Sequence, residues 1–333
     1  MMSGAGSMGA ATRERRAYTA VEPLLASLEL NPDECPYRLG DGAGLPMLVP
    51  VALVQRMRKG DWYDPVLLQV LPRAEEERPG EGFSCDPVGD RAAVVVPGLL
   101  HKYHARVLVM TTGACPMHCR YCFRRRLAER KTRLDANHRD RIARYVREHD
   151  DIAEVILSGG DPLMLGDSEL PAIVEPLLAV NHVRTIRIHS RMPIADPTRV
   201  NDRVCALVSH ITRSRTCVVV VHANCAREIG GNCRAALRRL RDAGAVLLCQ
   251  SVLLRGINDS VDRLEQLCRE LTESGVIPYY LHQLDRVQGA WHFEVPTGTG
   301  TALVRELRTR LPGYAVPTYV RETAGGACKQ ALG

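Results

Sequence analysis

Short β-branched runs alternating with amphipathic, arginine-rich stretches from residue 106 onward predict an α/β fold built on a parallel sheet. The runs fall at 107–111, 154–157, 185–188, 217–221, 246–252 and 278–282. Each gap holds one stretch with apolar residues at helical spacing, at 137–148, 168–180, 198–212, 232–243 and 260–274. Gaps of that length fit right-handed crossovers between parallel strands, whereas a hairpin needs only a few residues. Six units are too few for a closed eight-stranded barrel, and the spacing alone leaves a doubly wound sheet open.

Ahead of this alternation, residues 1 to about 20 are small, polar and basic, and are expected to be disordered. Stretches 21–30 and 50–59 carry apolar residues at helical spacing, among them Val51, Leu53, Val54 and Met57, with a Gly/Pro-rich loop at 40–46 between them. A second loop, 75–89, leads to the apolar run 94–100. The chain therefore divides into a mainly helical cap with a disordered start at 1–99, the alternating region at 100–290, and a C-terminal segment at 291–333.

Composition narrows the class. A chain of 333 residues with 45% hydrophobic and 25% charged side chains can bury the core of an ordinary soluble enzyme. No apolar run approaches the roughly 18 residues of a membrane span, and the N-terminus lacks an apolar signal core, so a cytoplasmic location without membrane contact is expected. Twelve cysteines without framework spacing point to reduced thiols. The net charge of +6 is diffuse, and only three Phe and two Trp argue against a base-stacking platform, so no nucleic-acid partner is expected.

Chemistry concentrates at 110–126, where Cys115-x3-Cys119-x2-Cys122 packs three cysteines together. An iron–sulfur cube normally takes four cysteines, so a trio leaves one iron open for an exogenous ligand. A zinc site or a redox pair at Cys119-x-x-Cys122 are the alternatives; zinc would want a second Cys/His pair, and Cys35, Cys85, Cys205, Cys217, Cys225, Cys233, Cys249, Cys268 and Cys328 are scattered singly. After the second strand, Ser158-Gly159-Gly160-Asp161 offers close backbone approach and an acceptor for an ammonium group. Arg187 and Arg191, at the end of the third strand, stay unassigned between carboxylate binding and a surface role. Near the end, an apolar run to Val320 and a Gly325-Gly326 turn precede Lys329, a residue type that forms Schiff bases with pyridoxal 5′-phosphate (PLP).

With Tyr121 just before its third cysteine, the trio resembles that of the radical S-adenosylmethionine (SAM) enzymes, which implies a [4Fe–4S] cluster on Cys115, Cys119 and Cys122 with SAM on the open iron. The resemblance also implies an open, partial (β/α)6 barrel and makes Ser158, Gly159, Gly160 and Asp161 the SAM-binding glycine motif. A wider set, Tyr103-x-x-Arg106, the cysteine stretch, Ser158 to Leu163, Gln250 to Asp259, Pro278 to Asp285 and Gly325-Gly-x-x-Lys329, is similar to the lysine 2,3-aminomutase family from about Asp64 to the end. Within it, the stretches beginning at Val96 and Asp285 look most like the short bacterial branch that supplies (R)-β-lysine for modifying elongation factor P.

This resemblance implies that Lys329 holds PLP covalently, that Arg106 and Gln250 bind its phosphate, that Arg124 takes the substrate carboxylate, and that Asp285 and Glu322 receive the distal ammonium of lysine. It further implies radical migration of the amino group from C2 to C3, a cellular electron donor, and a functional link to elongation factor P and its lysyl ligase. Three departures bear on it. Cys225 and Arg227 stand where relatives show His and Asn, Cys249 replaces an Asn, and Gln330-Ala331-Leu332 replaces Thr-Pro-Leu, which predicts a looser tail after Lys329. No zinc is expected, since the sequence ends at Gly333. The rival readings are an aminomutase for arginine or glutamate, and a non-catalytic iron–sulfur protein binding RNA or a translation factor; paired acids at 285 and 322 favour a cationic substrate over glutamate.

Overall fold

The computed structural model describes residues 17–42, 44–125 and 133–333. The disordered start expected for residues 1–16 lies outside the described residues; residues 17 and 18 form strand β1 (Ala17–Tyr18), paired antiparallel with β2 (Val49–Pro50). Helix α1 (Val21–Ser27) is shorter than the apolar spacing predicts, because Glu29 turns the chain into the left-handed region at φ 55°. Helix α2 (Val51–Val54) is a single turn. Contrary to the expectation of a mainly helical cap, the rest of this region is irregular chain with isolated 3₁₀ turns. Its apolar residues are buried nonetheless: Leu24, Leu25, Leu53, Leu67 and Leu71 form a core that includes Met117 and Cys225 and packs on Cys119. The cap is thus a plug seated on the cysteine loop.

The run at 94–100 becomes two antiparallel edge strands, β3 (Val94–Val96) and β4 (Leu99–Tyr103). Then follow β5 (Arg106–Thr112), α3 (Ala136–Glu148), β6 (Glu154–Gly159), α4 (Glu169–Leu178) and β7 (Thr185–Ser190). A short helix α5 (Met192–Ala195) precedes α6 (Asp202–Thr212), β8 (Thr216–His222), α7 (Gly231–Asp242), β9 (Val246–Val252), α8 (Val261–Glu273) and β10 (Ile277–His282). Side chains of Asp135 and Asn201 cap α3 and α6 by accepting from His138 N at 2.9 Å and Val204 N at 3.0 Å. A further unit that the spacing does not announce follows: α9 (Thr297–Arg310) and β11 (Thr318–Arg321). Helix α9 opens on Thr-Gly-Thr-Gly-Thr, a poor helix former. Gly300 is required there by packing, because a Cβ would lie 2.2 Å from the Tyr319 hydroxyl.

Strands β5 to β11 are parallel and neighbour one another in chain order. A doubly wound sheet reverses its order at a switch point; this one does not. Side chains alternate accordingly. Val155, Leu157, Ile186, Ile188, Val219, Val221 and Leu247 pack against Ile142, Val174, Val208, Leu237 and Leu271 of the helices. Ile156, Ser158, Arg187, His189, Val220, His222, Gln250, Tyr280 and His282 line a cavity on the opposite face. Helices on one face and a cavity on the other describe an open, partial barrel. The tail is not loose: β12 (Gln330–Ala331) pairs antiparallel with β11, and Thr301 Oγ1 donates to the Leu332 carbonyl at 2.8 Å.

Candidate active site

The cavity holds roughly 350 Å³ and gathers side chains from the loop after β5, the ends of β6 to β10, the cap and the tail. Cys115, Cys119 and Cys122 all line it, on the loop that leaves β5. Burial, then Cys122, pushes the Cys115 thiol far above its usual range, and burial with the neighbouring Cys119 takes Cys122 up to about 11. Among the described residues no three Cys, His, Asp or Glu side chains close on one metal ion. The three thiols line the same cavity wall.

Behind the trio lies a buried polar network that sequence reasoning left unassigned. Arg191 donates to Cys119 Sγ at 3.1 Å, to Gln69 Oε1 at 2.8 Å, to Glu228 Oε1 at 2.5 Å, and to the Tyr121 hydroxyl. Asn224 donates to the same hydroxyl at 2.6 Å and to Gln69 Oε1 at 2.9 Å, while Glu228 Oε2 accepts from the amides of Asn224 and Cys225. Tyr121 also stacks on His222 with ring centroids 5.8 Å apart. The altered loop at Cys225 and Arg227 therefore keeps a defined place: Cys225 is buried in the cap core, and Arg227 reaches Asp64 at 3.3 Å.

The glycine motif does less for a ligand than its sequence implies. Gly160 N donates to Thr112 O at 2.6 Å and Asp161 N to Ala114 O at 2.8 Å, so these amides hold the cysteine loop. A Cβ on Gly160 would sit 2.1 Å from Ala114 O. Asp161, expected to accept an ammonium, has both oxygens occupied: Oδ1 by Leu163 N and Ser190 Oγ, Oδ2 by Arg191 N and Met192 N, all within 3.1 Å. Burial outweighs those bonds and lifts its carboxyl to about 6. Ser158 lines the cavity and stands 3.5 Å from Arg124 Nη1.

At the other end, Lys329 donates to Glu322 Oε2, and Lys102 approaches Glu322 Oε1 at 2.6 Å. Burial would raise the Glu322 carboxyl, but Lys329 and Lys102 hold it at about 2. Asp285 makes no side-chain hydrogen bond among the described residues, and burial with nearby Glu322 raises it to about 7. Arg124 Nε donates to Asp90 Oδ2 at 2.8 Å, leaving its outer nitrogens toward the cavity; Asp90 also lies 3.5 Å from Lys102. Asp90 carries no sequence signal, and Lys102 falls within the stretch beginning at Val96 without a role of its own.

Between the two ends, Arg106 lies over the Tyr103 ring at 4.9 Å with no acidic partner among the described residues, whereas Arg187 is paired with Glu154 at 3.0 Å. Gln250 faces the same space. The Nε2 atoms of His189 and His282 are buried without partners; burial and then Lys329 hold His282 at about 3, so its ring is neutral. An unpaired guanidinium, unmatched imidazoles and a lysine amine around one cavity suit a phosphorylated carbonyl cofactor such as PLP.

Residues 109–211 match the Radical SAM superfamily. The L-lysine 2,3-aminomutase of Escherichia coli (strain K12) is 43% identical over 85% of this chain and 82% of its own. The same-named protein of Haemophilus influenzae is 38% identical over 93% of this chain and 91% of its own, and that of Buchnera aphidicola 39% identical over 83% and 81%. A radical SAM methyltransferase from Sphaerobacter thermophilus superposes on 67% of this chain and 68% of its own, with a TM-score of 0.47 and 19% identity. No helix among the described residues is long and apolar enough to cross a membrane.

Proposed function

The chain belongs to the L-lysine 2,3-aminomutase family of radical SAM enzymes, and from that premise we propose that it moves the α-amino group of L-lysine to C3, giving β-lysine, with PLP held on Lys329. A [4Fe–4S] cluster and SAM are what the superfamily implies. One observation carries the proposal: the cysteine trio, an unpaired Arg106, the Lys329 amine and an unsatisfied Asp285 all line one cavity. When bound, the cluster with SAM supplies a radical, and PLP supplies a conjugated system through which nitrogen can migrate.

The side chains divide the remaining work. Cys115, Cys119 and Cys122 would ligate the cluster, and Ser158, Gly159, Gly160 and Asp161 would shape the wall beside SAM, with Asp161 acting through the loops it ties together. Arg106 and Gln250 would take the PLP phosphate. Arg124 would take the substrate carboxylate through the nitrogens that Asp90 leaves open, and the distal ammonium would settle between Asp285 and Glu322. Asp90 of the cap and Cys328 and Lys329 of the tail contribute to the cavity wall, and shielding from water there would protect a reactive radical. An acidic distal end favours a cationic side chain, lysine or arginine, over glutamate.

The expected setting is a reducing cytoplasm with a cellular electron donor, and the β-lysine product would serve elongation factor P through its lysyl ligase. Anaerobic reconstitution with iron, sulfide, SAM, PLP and dithionite, followed by chromatography of the amino acids, tests the reaction. β-Lysine is the expected product; conversion of arginine alone would reassign the substrate. Borohydride reduction and peptide mapping should place the pyridoxyl group on Lys329, and its absence from the protein would overturn the aminomutase chemistry.

A further inference from the structure

Lys102 has no part in the reaction as assigned so far, yet its ammonium is built into the cavity wall. The side chain is 12% exposed, lies 2.6 Å from Glu322 Oε1 and 3.5 Å from Asp90 Oδ1, and donates to the Val88 carbonyl. Val88 and Asp90 come from a cap loop that touches the tail: Gly89 sits at φ 70°, and a Cβ on it would come within 3.2 Å of Ala324. Cap, β4 and tail therefore meet at this one cation.

Its partner Glu322 is shared, because the second oxygen accepts from Lys329. Committing the Lys329 amine to a covalent cofactor takes that amine away from Glu322. What then holds Glu322 determines whether an incoming ammonium meets one carboxylate or two. Asp285, by contrast, makes no side-chain hydrogen bond among the described residues and faces the same cavity. A carboxylate already engaged by a buried ammonium is a weaker acceptor than a bare one, since a second cation must compete with the first.

We propose that Lys102 is a positioning and specificity-determining residue: with Asp90 and the Val88 carbonyl it keeps Glu322 occupied and in place, so that Asp285 becomes the principal reader of the substrate's distal ammonium. The two acids are thereby unequal: Lys329, Lys102 and Arg124 are near Asp285 only as charges, and a single carboxylate free of hydrogen bonds matches a substrate with one side-chain charge. This inference rests on the assignment of Lys329 and of a cationic amino acid made above.

Two measurements on the full-length chain test it. In the first, the cofactor-free protein is treated with PLP and borohydride across a pH series, and labelling of Lys329 is read by peptide mapping. In Lys102→Met, Glu322 pairs with Lys329 alone, so the labelling midpoint should rise by about one pH unit; Lys102→Arg should stay near the wild type. In the second, KM for lysine is measured around a double-mutant cycle on reconstituted enzyme. Asp285→Asn should raise KM by about a hundredfold in the wild-type background but by less than about tenfold beside Lys102→Met, because the released Glu322 takes over the ammonium. An unshifted midpoint, additive KM effects, or label on Lys102 instead of Lys329 would each overturn the inference. A wild type that labels at Lys329 but converts no lysine would sink the substrate reading instead, and the labelling series would still decide whether Lys102 holds Glu322.

Discussion

The two ends of the cavity are built on opposite principles. At the cysteine end, Gln69, Tyr121, Arg191, Asn224 and Glu228 are buried and bonded to one another, and Arg191 spends its outer nitrogens within the protein. At the lysine end, Asp285, Arg106 and the His282 Nε2 lack hydrogen-bonding partners among the described residues, and Glu322 is divided between two lysines. Arg191 Nε alone among these side-chain atoms is buried without a partner; a network so nearly complete fixes geometry and resists change, because any further lost partner strands a buried polar group. A set of unmatched groups costs stability on its own and recovers it when a ligand supplies the missing partners. The first arrangement suits a cofactor that must stay in register; the second suits a substrate that arrives and leaves.

Four experiments sharpen or break this contrast, beginning with the largest effect. Cys119→Ala should abolish the bound cluster's absorbance and SAM cleavage altogether, while Cys328→Ala, exposed on the tail, should leave both intact; full iron occupancy in Cys119→Ala would remove the trio's assigned role. Next, Arg191→Met strands Glu228, whose side chain is wholly buried. Breaking a buried pair from one side typically costs about 3–5 kcal/mol, so thermal unfolding should shift down by several degrees, and an unchanged melting curve would mean the network is not rigid.

At the lysine end the changes should fall on binding and spare folding. Asp285→Asn is expected to lower kcat/KM for lysine by about a hundredfold while leaving the melting temperature within about a degree or raising it, since it removes a carboxylate whose burial and nearby Glu322 outweigh the cations around it. The smallest effect concerns protons. Burial and then Glu322 push Asp285 up to about 7, far above an unfolded aspartate, so its ionisation costs folding stability progressively as pH rises from about 4 to about 7. A bound ammonium pulls that value back down. Lysine binding should therefore release a fraction of a proton near pH 6 and almost none above about pH 8, as calorimetry in buffers of different ionisation enthalpy can measure. Proton uptake instead would place the ammonium elsewhere.

The sequence alone carried whatever depends on neighbours a few residues apart. Strands β5 to β10 and the helices between them follow from period-2 and helical spacing, and the cysteine trio follows from its own interval, since all three signals repeat over less than two turns of chain. Helix α9 escaped because its threonine and glycine opening is tolerated only where Tyr319 packs on Gly300. The cap read as helical because its leucines need burial, which irregular chain supplied equally well. The tail read as loose because a two-residue strand is defined only by the partner that β11 provides.

The site divides the same way. Which residue types gather here was legible in the motifs; what each is doing was not. Asp161 looked available until the loops after β6 and β7 closed on both its oxygens. Arg124 meets Asp90 across 34 residues, Arg191 meets Gln69 across 122, and Lys102 meets Glu322 across 220. Hydrogen bonds and ion pairs of that span obey no sequence period, because they depend on where folding brings distant backbone together. Spacing singled out the cysteine loop, and the family resemblance singled out Lys329; only the tertiary structure decided which charges around them are already satisfied and which are left for a ligand.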